Sequence, residues 1–305
     1  MNILITGGSG FIGQYLCRRL AAHGHELTVL SRREKKATKV LPADTRIIAD
    51  LDEISDDAKI DAIVNLSGEN LFTRRWTDKR KEVLLASRID VTNKLVALVD
   101  RLTTTPAVMV SGSAVGFYGN AGDAELTEDS SARKKDFGYR LCDAWEQAAR
   151  PVARMGVRLC LIRTGVVLGR DGGMLSRLLP AYKMGVGAMI GDGSQWLSWI
   201  HIDDMVAILV RAIETPGIEG IFNATAPQPV TQRQFHQTLA KVVRRPAFFR
   251  VPGQLLRATL GEQAELLLGG QKVFPRRLEQ QGFMFRYPDL EKALTHITSP
   301  LGRVS

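Results

Sequence analysis

A short apolar run, Asn2-Ile3-Leu4-Ile5-Thr6, opens directly into Gly7-Gly8-Ser9-Gly10-Phe11-Ile12-Gly13, with Gly7, Gly10 and Gly13 spaced GxxGxxG. Strand, glycine turn and helix start, in that order, make a phosphate cradle. Gly7 permits the tight turn, Gly10 lets the backbone approach a pyrophosphate, and Gly13 lets helix and strand pack closely. Phe11 and Ile12, first in the helix, bring N–H groups and the positive end of the helix dipole to the same place. The predicted ligand is a dinucleotide.

Which dinucleotide depends on the end of the second strand. An NAD site usually places a carboxylate there, about 20 residues past the glycines, to accept from the ribose 2′-hydroxyl. This chain has Leu30-Ser31-Arg32-Arg33 instead. Ser31 offers a hydroxyl, and Arg32 or Arg33 offers a guanidinium to a 2′-phosphate through charge-assisted hydrogen bonds. The expectation is NADP(H). The competing reading makes these arginines part of a solvated charge run ending near Lys39.

A second set of residues suggests a substrate side. In Arg74-Arg75-Trp76, followed by Lys79-Arg80-Lys81, the indole suits a planar or sugar ring and the arginines an anionic group. The bland alternative is a solvated basic loop. Gly191-Asp192-Gly193-Ser194-Gln195-Trp196 is a candidate for the opposite wall of the cleft.

Such residues need a scaffold that delivers strand ends to one edge. Strand-like segments at Asn2–Thr6, Glu26–Leu30, Arg46–Ala49, Asp61–Leu66, Ala107–Ser111 and Arg158–Arg163 alternate with helical patterns at Phe11–His23, Thr77–Leu102 and Asp136–Met155. Alternation at this spacing implies right-handed βαβ units and an α/β, doubly wound parallel sheet of the Rossmann type. After Gly169 the rhythm breaks in a glycine-rich stretch, and helices are expected at Ile202–Glu214, Thr231–Arg244 and Gln254–Gly269. We expect a dinucleotide-binding domain over residues 1–168. A smaller, mostly helical substrate-side domain over 169–305 follows, with some elements packing back on the first.

The chain has 305 residues, 45% of them hydrophobic and 24% charged, and a formal net charge of +9. That mix excludes a disordered or acidic solvating protein. The arginine pairs are scattered and no aromatic-interleaved RNA-binding motif is present, so no specific nucleic-acid partner is expected. No apolar run reaches the roughly 18 residues of a membrane span, and the first residues lack the pattern of a secretory signal. Cys17, Cys142 and Cys160 are widely spaced without CxxC, as buried fillers in a reducing compartment would be. The expected setting is cytoplasmic, with a small-molecule substrate, no metal and no indication of oligomeric state.

Several motifs together carry a resemblance. GxxGxxG, Asn65-Leu66-Ser67-Gly68-Glu69-Asn70, Val110-Ser111-Gly112-Ser113-Ala114 and Trp199-Ile200-His201-Ile202-Asp203-Asp204 resemble extended short-chain dehydrogenases of the NAD-dependent epimerase/dehydratase superfamily. The chain is more closely similar to an atypical branch called epimerase family proteins. The tail from Leu268 through Arg276-Arg277-Leu278 to Gly282-Phe283 resembles that branch's C-terminal domain of unknown function. The resemblance implies that Leu66, Ser67 and Gly68 line the cofactor, that Arg88 reaches toward it, and that Val167 sits near the nicotinamide.

The same resemblance brings a catalytic expectation and a gap in it. Superfamily members use a Ser or Thr with Tyr-x-x-x-Lys, the ammonium lowering the phenol pKa for proton transfer. Ser113 fits the hydroxyl role. In Phe137-Gly138-Tyr139-Arg140-Leu141-Cys142-Asp143, one register puts Phe137 and Leu141 at the Tyr and Lys positions. The other pairs Tyr139 with Asp143, whose charge would raise the phenol pKa. Tyr118 is then the candidate substitute proton donor, with Glu69 and His201 as further possibilities. Two readings follow: an NADP(H)-dependent oxidoreductase or epimerase-like enzyme, or a noncatalytic NADP(H)-binding sensor or partner-binding protein.

Overall fold

The computed structural model describes residues 1–299. Its centre is a seven-stranded sheet of β1 (Asn2–Thr6), β2 (Glu26–Leu30), β3 (Arg46–Ile48), β4 (Ala62–Asn65), β5 (Val108–Ala114), β6 (Arg158–Thr164) and β7 (Gly220–Ala224). The spatial order is β7-β6-β5-β4-β1-β2-β3, and every neighbouring pair is parallel. The helices that position the site are α1 (Phe11–Ala22), α2 (Asp78–Arg101), α3 (Phe137–Ala149), α4 (Gly173–Lys183), α5 (Ile202–Glu214), α6 (Gln232–Val243) and α7 (Leu290–Thr298).

Both faces of the sheet are covered, which is why its central strands are nearly continuous apolar runs. Alternation within a strand sends neighbours to opposite layers. Ile3 and Ile5 pack with Leu16 and Leu20 of α1 and Met205 and Leu209 of α5, whereas Leu4 packs with Leu95, Leu98 and Val99 of α2. Each such side chain, fully buried, contributes roughly 1.5–3 kcal/mol. The strand order reverses between β1 and β4. In an open sheet of this kind, ligands bind at the crevice outside the carboxyl ends of strands at such a reversal.

A separate core joins Leu175, Leu179 and Tyr182 of α4, Phe235 and Leu239 of α6, and Leu290 and Leu294 of α7, with Trp199 among them. Here the structure departs from the sequence reading in several places, α7 (Leu290–Thr298) among the elements it did not expect. β7, absent from that reading, returns from the second half of the chain to extend the sheet beyond β6. α4 lies in the glycine-rich stretch, where Gly172 and Gly173 mask its start and Pro180 lies inside it. The helix expected over Asp136–Met155 ends at Ala149, and Pro151 lies in the 3-10 turn that follows. The helix expected over Gln254–Gly269 breaks at Gly261, whose φ of 62° is left-handed, into Gly253–Leu260 and a short Glu265–Leu268 turn.

Candidate functional site

The cradle takes its shape from close backbone packing. Gly7 has φ 75°, and a Cβ there would lie 2.5 Å from the Leu66 carbonyl oxygen at the end of β4. A Cβ on Gly13 would strike the Gly7 carbonyl and the Gly8 backbone. Gly10 differs: within 4 Å its Cβ would meet only the Gly7 oxygen, at 3.0 Å. Its other side is open, and α1 starts without a side-chain cap. Open space in front of free helix N–H groups fits a pyrophosphate. Behind them the Phe11 ring packs into the turn after Val167, where a Cβ on Gly172 would lie 2.5 Å from it. Ile12 is half-buried against the sheet's first core.

A polar chain fixes the end of β4. Thr6 Oγ1 donates to Asn65 Oδ1 at 2.7 Å, Asn65 Nδ2 donates to Thr92 Oγ1 at 2.8 Å, and Ser67 N–H approaches Asn65 Oδ1 at 3.4 Å. Leu66, Ser67 and Gly68 therefore lie against the cradle. Gly68 leaves room for Arg88, whose Cζ would be 2.8 Å from a Cβ there. The buried Arg88 guanidinium donates to the Leu84 and Glu69 carbonyls at 3.0 and 3.1 Å and lies over the Trp145 ring. Burial pulls its pKa below the ordinary arginine value.

Across the crevice, Ser31 is buried and its Oγ accepts from Arg33 N–H at 3.3 Å. Arg32 reaches outward, 84% exposed, and donates to Glu69 Oε1 at 3.2 Å; Arg80 flanks the other carboxylate oxygen at 3.5 Å. Burial pushes the Glu69 carboxyl up, but Arg32 and Arg80 outweigh it and hold the pKa below the usual range. Glu69 is an anion near neutral pH, and thus a poor proton donor.

Ser113 ends in a buried ionic network. Its hydroxyl donates to Glu146 Oε1 at 2.7 Å, and Arg163 clamps Glu146 with Nε and Nη2 at 2.8 and 2.9 Å. Arg163 also donates to Tyr118 Oη at 3.1 Å and lies 3.4 Å from the Phe117 ring centroid. Tyr118 is fully buried and donates to Asn223 Oδ1 at 2.8 Å, so its phenol is engaged on both sides. Burial raises its pKa above 10, Arg163 opposing only in part. Asn223 continues the network to Glu128 and, through Nδ2, to the Phe274 carbonyl in the C-terminal tail.

Contacts link several of the cofactor-side residues read from the sequence (Gly7 with Leu66 and Ser67, Gly68 with Arg88, Phe11 with the turn after Val167), while Ser113 and Tyr118 enter a network that the sequence reading missed. Its key members carried a signal. Leu141, Cys142, Trp145, Glu146 and Ala149 are the buried face of α3, and Glu146 is the one charge among them. Arg163 likewise closes the apolar run of β6. Trp76 does not offer a stacking face: its ring meets Phe137 edge-on at 4.8 Å, and its Nε1 donates to the Leu71 carbonyl. His201 caps α5 by accepting from Asp203 N–H at 3.0 Å, stacks on Tyr287, and is driven to a pKa of about 3 by burial. The three cysteines are buried, and burial raises their thiol pKa values to about 12, 12 and 11.

A family model described as NAD dependent epimerase/dehydratase family matches residues 3–224, the whole sheet with its crevice. The chain belongs to this family. A second model, a domain of unknown function (DUF1731), matches residues 251–297. Within the family the chain is 40% identical to the Arabidopsis thaliana protein named epimerase family protein SDR39U1 homolog, chloroplastic, over 97% of this chain and 86% of that one. It is 37% identical to human epimerase family protein SDR39U1 over 98% and 100% of the two chains. The crystal structure of that human protein (isoform 2) with NADPH superposes with a TM-score of 0.89 at 36% identity, covering 99% of this chain and 100% of that one. Among the described residues, no helix is long and apolar enough to cross a membrane.

Proposed function

We propose that the protein binds NADP(H) in the crevice between β1, β2 and β4 and acts as an oxidoreductase or epimerase-like enzyme on a small substrate. The observation that carries this is the glycine cradle facing a β2 end with Arg32 where an NAD site would usually carry an acid. The human relative solved with NADPH supports the same choice. An exposed pair such as Arg32–Glu69 is worth under about 1 kcal/mol, so a 2′-phosphate competes readily for the guanidinium. In this reading Gly7, Gly10, Phe11, Ile12 and Gly13 hold the pyrophosphate, and Ser31 and Arg32 the 2′-phosphate. Leu66, Ser67, Gly68 and Arg88 line the adjoining wall, with Val167 toward the nicotinamide. When bound, the dinucleotide supplies hydride donation or acceptance.

Ser113 then has a defined polarity. Its one proton is committed to Glu146, so its free lone pairs accept from a substrate hydroxyl rather than donate to a carbonyl. The partner favoured is a small alcohol, sugar-like molecules included. Tyr118, with its phenol occupied, supports this arrangement and would reach substrate only after breaking two buried hydrogen bonds.

The noncatalytic sensor remains the second reading, favoured by one specific observation: Tyr118 is engaged, Glu69 is anionic and His201 is neutral, so none of these three candidates stands free to carry the proton in place of Tyr-x-x-x-Lys. A panel of alcohols, carbonyls and nucleotide sugars, followed by NADP(H) absorbance, separates the two. Turnover abolished by Ser113→Ala with NADPH affinity intact supports the enzyme. A silent panel with tight NADPH binding supports the sensor.

A further inference from the structure

We propose that His23, His25 and Glu214 form a binding site for a late first-row divalent cation, Zn²⁺ foremost, at the end of the fold away from the cofactor crevice. His23 Nδ1 and His25 Nε2 both lie 2.9 Å from the same oxygen, Glu214 Oε1. The three ligand atoms all fall within 4.8 Å of one another. The rings are inclined by 51° with centroids 6.3 Å apart, so two different directions of approach converge on one point.

Local structure accounts for the convergence. α1 ends at Ala22, and Gly24, with φ 78°, turns the chain into β2, setting the two flanking imidazoles to the same side. Glu214 is the last residue of α5, which lies against α1. His25 Nδ1 faces the Met1 nitrogen at 3.3 Å, which leaves Nε2 toward the carboxylate. Tetrahedral Zn²⁺ with bonds of about 2.0–2.2 Å places its ligand atoms about 3.3–3.6 Å apart. Opening two contacts of 2.9 Å by a few tenths of an ångström is within reach of partly exposed side chains. Water completes the coordination. Two imidazoles with one carboxylate select zinc, copper or nickel over magnesium and calcium, which prefer all-oxygen sites.

The other histidine cluster, His201, Asp203 and His296, lacks this freedom. His201 Nδ1 already accepts the Asp203 N–H, and its ring is stacked on Tyr287. At the proposed site the cation would pin the C-terminal end of α1 to α5. The cradle is at the opposite end of α1, about 18 Å away for a 12-residue helix. The chemistry is therefore a structural clamp on the cradle helix, separate from the cofactor.

The test is calorimetric titration of the apo protein with Zn²⁺, alongside the absorbance of a Co²⁺-loaded sample. The expected result is one Zn²⁺ per chain, a rise in Tm on loading, and no competition from Mg²⁺ or Ca²⁺. His23→Ala, His25→Ala and Glu214→Gln should each weaken Zn²⁺ by roughly tenfold or more while NADPH affinity stays unchanged. All three positions are partly exposed, so these variants should fold. Absence of saturable Zn²⁺ binding at micromolar metal overturns the proposal. So does binding that survives the His23→Ala/His25→Ala double change, or that is lost only in His296→Ala.

Discussion

Glu146→Leu removes the acceptor of three hydrogen bonds, from Ser113 at 2.7 Å and from Arg163 at 2.8 and 2.9 Å. The Arg163 side chain is 2% exposed, so its charge cannot turn to water and is left with the Tyr118 oxygen and the Phe117 ring. An uncompensated buried charge of this kind costs about 3–5 kcal/mol. Arg163→Met, which strands the carboxylate instead, should cost a similar amount. The double variant Glu146→Leu/Arg163→Met strands neither charge. It leaves chiefly the Ser113 hydroxyl without its acceptor, at about 1–3 kcal/mol. The pair should therefore be strongly non-additive, with the double variant more stable than either single. Urea unfolding of all four proteins gives the cycle from midpoints and m-values. Single variants costing under about 1 kcal/mol, or additive effects, would refute the view of Glu146–Arg163 as a desolvated pair.

Gly13→Ala should abolish NADPH binding in a fluorescence titration, since its Cβ would enter the Gly7 carbonyl and the Gly8 backbone; near-native affinity would contradict the cradle geometry. His201 carries an acid limb of stability. Its pKa falls from 6.5 to about 3 on folding, so the unfolded chain binds the proton first, and its contribution is complete above pH 6.5 and declines toward pH 3. The loss is about 2 kcal/mol at pH 5. His201→Gln, which retains an acceptor for the Asp203 N–H, should flatten the pH dependence of the urea midpoint between those limits; an unchanged slope would remove His201 as its source.

What the sequence disclosed follows the range of the forces involved. The cradle was legible because strand, glycine spacing and helix start are contiguous, and the β2 end because its rule concerns one local position. β7 was hidden because it follows the stretch where the strand–helix alternation breaks, and Gly220-Ile221-Phe222-Asn223-Ala224 carries only two large apolar residues. α4 was hidden because glycines and Pro180 dilute its pattern, although Leu175, Leu179 and Tyr182 share one face. The Ser113 network draws on β5, α3, β6, β7 and the tail, so no local window contains it. Even so, Glu146 on an apolar helix face and Arg88 in the series Leu84, Arg88, Thr92, Leu95 were readable as buried charges or polar groups in need of partners.

NADP(H) recognition at Arg32 is read directly by parallel titration of NADPH and NADH into the wild type and Arg32→Ala. Charge-assisted bonds to a 2′-phosphate are worth about 1.5–3 kcal/mol, which is roughly 10–100-fold in affinity. NADPH should bind more tightly than NADH by that factor, Arg32→Ala should erase most of the difference, and NADH affinity should be unaffected. NADH binding as tightly as NADPH, with Arg32→Ala changing neither, would contradict NADP(H) recognition at Arg32.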